Sequence, residues 1–124
     1  MFRTLYQLFG HPDHVKLIDE KLLELIDENP DFVYSLVCNF GCCYHEGPTG
    51  NEHNSTGCIF GQAFQRLGIS VEYLKDNASG SIKTLYMNFS SGSIHNIPRY
   101  WPIMQRLQDS GSSWKDLKQD LIGG

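Results

Sequence analysis

The stretch CCYHEGPTGNEHNSTGCIFGQAFQRLG, residues 42–68, holds three of the four cysteines, two of the five histidines and five of the twelve glycines. How it is read decides the fold. Gly41, Gly47, Pro48, Gly50 and Asn51 are turn chemistry, because they supply or tolerate the angles that reverse a chain. The reading is a short strand over Cys42 to His45, an exposed loop over 46 to 54, and then a helix. Ser55 or Thr56 can cap that helix. Ile59, Ala63, Phe64 and Leu67 form its expected buried face, and Gly68 is its left-handed stop. Gly61 lies inside it. A glycine there costs about 1 kcal/mol against alanine, which implies the close approach of another backbone. The Phe32–Val37 segment is the natural visitor.

Working outward, DFVYSLVCNF (residues 31–40) mixes aromatic and β-branched residues without a helical period. It is expected as a buried strand pairing with the second. Before it, Phe2, Leu5, Tyr6 and Phe9 recur at helical spacing, and Gly10 with Pro12 ends that segment. Asp13 is placed to cap a second helix. Val15, Ile18, Leu22, Leu25 and Ile26 would form its stripe, with Asp19, Glu20, Lys21 and Glu24 in water. Asn29-Pro30 stops it, since a residue before proline avoids helical angles.

After the quoted stretch, Ser70 opens a short helix to about Asp76, and Ser81 caps another carrying Ile82, Leu85, Tyr86 and Phe89. Pro98 and Pro102 fall near the start of the next, where a missing amide is tolerated. Its expected core residues are Ile103, Met104 and Leu107, and Gly111 ends it. Ser113 and Asp116 resemble a capping box ahead of a last helix with Trp114, Leu117 and Leu121. The sum is a mostly helical α+β single domain, 1–124. It has N-terminal helices over 1–29, a two-stranded hairpin and helical core over 30–124, and five to six short helices in all.

At 124 residues the chain buries enough surface to fold without a metal or a disulfide. A net charge of −4 argues against a general nucleic-acid binder. No apolar run approaches the length that crosses a bilayer. The N-terminus lacks the apolar core of a signal peptide, so the cysteines are read as thiols in a reducing cytoplasm. Three glycosylation acceptor patterns, at Asn54, Asn77 and Asn88, are then chance matches.

The cysteine and histidine cluster admits three readings. Cys42, Cys43, His45, His53 and Cys58 offer soft and borderline ligands for a tetrahedral zinc ion, although their order fits no common zinc motif. Cys58, at a helix start, could be a thiolate nucleophile stabilised by the helix dipole, with His45 or His53 as its base. The favoured reading is structural: cysteine packs as a small hydrophobe and Cys58 sits under the hairpin, with a reversible Cys42–Cys58 or Cys43–Cys58 bridge as a minor variant. His11, His14 and His95 are expected in solvated loops. Tyr100, Trp101 and Trp114 could line a groove or partner surface, since such aromatics carry much contact energy. Tyr100 and Trp101 are the binding candidates, but a core role is the favoured reading for the set.

Cys42, Tyr44, Gly57, Cys58, Gly61, Ala63, Phe64, Leu67 and Gly68 form one motif, and Gln108, Asp109, Gly111 and Trp114 a second. Together they resemble a group of small uncharacterised proteins of actinobacteria and their bacteriophages, over about residues 30–122. The loop NEHNST, with His53, and Cys43 are additional to that pattern. The resemblance implies a phage-encoded protein acting in a host cytoplasm. It carries no activity across. With no catalytic constellation complete, the expectation is a non-enzymatic accessory module that binds a host protein, without cofactor, membrane or nucleic acid. The alternatives are a zinc-stabilised module and a cysteine enzyme centred on Cys58.

Overall fold

The computed structural model describes residues 1–33, 58–78, 80–90 and 97–123. These form seven helices: α1 (Leu5–Phe9), α2 (His14–Glu28), α3 (Ile59–Arg66), α4 (Val71–Asn77), α5 (Ile82–Phe89), α6 (Tyr100–Asp109) and α7 (Trp114–Gly123). Hydroxyl caps set three of the starts. Thr4 Oγ1 accepts the Gln7 amide at 3.1 Å, Ser70 Oγ the Tyr73 amide at 3.1 Å and Ser81 Oγ the Thr84 amide at 3.2 Å. Each satisfies a first-turn donor that the helix itself cannot. Asp13 precedes α2 as expected but makes no side-chain cap; its own amide instead donates to His11 Nδ1 at 3.0 Å. Gly68 closes α3 at φ +105°, and its missing side chain makes room for Met1 and Phe2.

Helix α3 is the hub. Cys58 through Phe64 are all buried, so the helix is covered on every side, as a central core helix is. α2 packs against α3 and α7, α6 against α5 and α7, and α1 against α5. One apolar cluster runs through all seven helices, from Leu5 through Ile18, Phe60, Leu74, Leu85 and Trp101 to Leu117. The α1 stripe is Leu5, Leu8 and Phe9, with Tyr6 turned outward.

The α+β class and its hairpin are overturned. Among the described residues there is no strand, and the helices number seven rather than five or six. The start of the expected first strand shows why. The Phe32 ring lies 4.5 Å from that of Trp114, and the Phe32 carbonyl accepts the Trp114 amide at 2.9 Å. Pro30 accepts the Lys115 amide at 2.8 Å, and Val33 makes one isolated bridge with Ser113. The apolar character at 32–33 thus serves a helix start: these carbonyls cap α7 where a ladder was expected. The rest of that segment, the expected Cys42–His45 strand and the 46–54 loop lie outside the described residues. The expected cap at Ser55 or Thr56 is overturned, since α3 starts at Ile59 with Cys58 in the N-cap position.

The α6 face is also rotated from the expectation. Trp101, Met104, Gln105 and Gln108 are its buried residues, whereas Ile103 and Leu107 are half-buried. Two glutamines displace aliphatic residues because they cap other helices. Gln105 Oε1 accepts the Ile82 amide at the start of α5 at 2.8 Å. Gln108 Oε1 accepts the Ile59 amide at the start of α3 at 2.8 Å and the Trp114 indole N–H at 3.1 Å. α6 therefore fixes three elements at once, with buried acceptors aimed at donors that have no intrahelical partner.

Candidate functional site

α2 presents Val15, Lys16, Asp19, Glu20 and Leu23 along one side, at the spacing that puts residues on a common helix face. Leu121 and Ile122, near the end of α7, stand opposite. With Pro12 and Asp13 they line a groove of about 580 Å³, within the size range of ligand sites. The walls are mostly apolar and the rim is charged. Ile122, one of the groove's lining residues, is 65% exposed. A second, smaller hollow of about 430 Å³ lies on the other side of α7, between Pro98, Tyr100, Ile103, Gln119 and Asp120.

Asp19 sits between the two. Its Oδ1 accepts the Trp101 indole N–H at 2.8 Å, and its Oδ2 accepts the Tyr100 hydroxyl. The sequence placed Asp19 in water; it is half-buried instead. Burial pushes its carboxyl above the usual carboxylate range, and the two hydrogen bonds pull the other way. Tyr100 is pushed well above an ordinary phenol by burial first and by its carboxylate partner second, so it is a hydrogen-bond donor here and no base.

The two aromatic candidates thus divide. Tyr100 lines the second hollow and is reachable, while Trp101 is fully buried and acts only by holding Asp19. His14, expected in a loop, opens α2. Its Nδ1 lies 2.7 Å from the His11 carbonyl, which can only accept, so Nδ1 carries the hydrogen. In the neutral ring Nε2 then accepts from the buried Tyr86 hydroxyl at 2.9 Å. That contact ties α2 to α5 and leaves the imidazole no free edge for chemistry.

Cys58 is wholly buried at the N-cap of α3, as the structural reading expected, and is disulfide-bonded, so the bridged variant replaces the favoured free thiol. A bonded sulfur offers neither a nucleophile nor a zinc ligand. Cys42, Cys43, His45 and His53, the other members proposed for either site, lie outside the described residues, as does His95. Among the described residues no group of three or more His, Cys, Asp or Glu is placed to hold a metal ion. None of the described helices is long and apolar enough to cross a membrane.

What sequence reading missed is the pairing of Asp19 with Tyr100 and Trp101, some eighty residues away. An acidic residue next to the apolar stripe, Ile18 and Leu22, was the available signal. Compared with family models, curated proteins and solved structures, the chain finds no match in any of the three.

Proposed function

We propose that the chain is a non-enzymatic accessory module that binds a protein partner through the groove between α2 and the end of α7. The observation that carries this reading is the groove itself, with apolar walls and an exposed Ile122 among its lining residues. Exposed apolar surface gathered at a concavity marks interaction sites more often than catalytic ones when no reactive group faces it. The polar groups nearest the groove are charged side chains, Asp19 among them held by two hydrogen bonds, and Cys58, the buried cysteine among the described residues, is bonded.

The resemblance to actinobacterial and bacteriophage proteins adds that the partner is a host protein and the setting a host cytoplasm. The bond at Cys58 weighs against a reducing compartment, so location rests on the resemblance alone. A photo-crosslinking residue in place of Ile122 tests the reading in host cells. A defined crosslinked protein at Ile122, absent when the same residue replaces the exposed Lys83 of α5, supports it. No specific adduct at Ile122 would end it.

A further inference from the structure

The acidic residues of α2 and of its N-cap position, Asp13, fall into two halves. In the second half each has a cation. Glu24 pairs with Lys21 at 2.8 Å, Asp27 with Lys118 at 2.9 Å, and Glu28 with Arg66. Asp31, just beyond, pairs with Lys115 at 3.0 Å. In the first half the pattern stops. Asp13, Asp19 and Glu20 make no ion pair among the described residues, and these three line the groove. Lys16 is the one cation among the lining residues, so the rim carries an excess of negative charge.

Asp19 differs from its neighbours in being fixed. Two neutral donors from α6 hold its two oxygens, and each oxygen keeps a further acceptor position. A carboxylate that is half-buried, immobilised and without a counter-ion is pre-organised to take a cation from outside. A guanidinium suits it, because its planar fork reaches a carboxylate and a neighbouring acceptor together. Beside it lie the apolar side chains of Val15, Leu23, Leu121 and Ile122. Burial keeps the Asp19 carboxyl above its ordinary range for want of a compensating charge, and a bound cation would reverse that shift.

We infer that the occupant of the groove is an amphipathic helical segment of the partner protein whose apolar face lies on Val15, Leu23, Leu121 and Ile122 while a flanking arginine pairs with Asp19. This deepens the binding reading above and rests on it. The mode is a helix laid in an apolar groove, with charge setting which helix and in which direction.

The probes are two short leucine-faced helical peptides, one with arginine at the flank and one with citrulline there, titrated calorimetrically against the full chain. The arginine peptide should bind about tenfold more tightly, the gain expected of one partly desolvated charge-assisted pair. D19N should erase that preference, and E20Q, at an exposed position, should reduce it by a smaller factor. Equal affinity for both peptides, with Ile122→Asp still abolishing binding, would overturn the arginine assignment and leave the groove standing. Binding of either peptide that survives Ile122→Asp unchanged, or no binding of either, would overturn the groove as well. A helical circular dichroism spectrum and a cooperative urea transition like the parent's show that D19N has kept its fold.

Discussion

Removing the Asp19 carboxylate in two different ways separates what its hydrogen bonds contribute from what its charge costs. D19A leaves the Trp101 indole N–H, fully buried, with no acceptor. An orphaned buried donor costs about 1–3 kcal/mol. The half-buried Tyr100 hydroxyl loses its partner too, but can turn to water, at about 0.5–1 kcal/mol. Loss of a poorly solvated charge offsets part of this, so D19A should destabilise by about 2–3 kcal/mol. For a domain of this size that lowers Tm by roughly 10 °C. D19N should fare much better. Its Oδ1 can accept from Trp101, and its amide can donate to Tyr100, because a hydroxyl accepts as well as donates. It should stay within about 1 kcal/mol of the parent.

The pH dependence gives the sign. The carboxyl of Asp19 is raised in the folded chain. Between the ordinary carboxylate range and that raised value, the folded state keeps a proton that the unfolded state has released. Stability is therefore greatest below the ordinary range and declines as pH rises through the window. Asp109, also raised by burial, adds a decline of the same sign. D19N removes the Asp19 share, leaving a shallower fall. Urea denaturation from mildly acidic to neutral pH checks both points. Equal stability of D19A and the parent, or an identical pH slope in D19N, would refute the reasoning.

Gln108→Leu should cost about 2–4 kcal/mol and Gln105→Leu about 1–2, since the first strips an acceptor from two buried donors and the second from one; urea midpoints with unchanged slopes would show the ordering. Gly68→Ala should destabilise more than Gly111→Ala. Both sit at positive φ, where a side chain costs about 1–2 kcal/mol, but a Cβ at Gly68 would meet Met1 Cβ at 2.6 Å and the Phe2 carbonyl at 2.8 Å, whereas Gly111 opens on space. Cys58 should resist iodoacetamide in the denatured, unreduced protein and label only after reductant is added; peptide mass mapping reads the result, and labelling without reductant would remove the bond.

The helical elements were largely legible, because capping is local. Ser70, Ser81 and Gly68 announce boundaries within four residues of themselves, and α4, α5 and the end of α3 sit where those residues put them. Faces were legible where aliphatic residues alone define them, as in the Ile18, Leu22, Leu25 and Ile26 stripe of α2. The reading failed where a polar residue is buried for a distant partner. Nothing near Gln105 or Gln108 tells of the amides of α5 and α3 that they receive. A glutamine at a helical position looks solvated until its acceptor has a buried donor to meet.

The candidate site follows the same logic. Asp19 lies one residue after the buried Ile18, so from sequence it belongs to the wet edge of an amphipathic helix. Only the packing of α6 against that edge brings Tyr100 and Trp101 to it. Trp101 is fully buried, in the core role favoured for the aromatics, and its indole N–H, which the sequence reading did not use, is what reaches Asp19. Its role is to hold a charge still at the lip of the groove. A fixed carboxylate has less ordering entropy to lose when a cation arrives than a mobile one does. That makes the buried aromatic and the exposed groove parts of one device: α6 carries the acceptors and donors that brace α3, α5 and α7, and the same helix turns one acid of α2 from a solvated charge into a directed one.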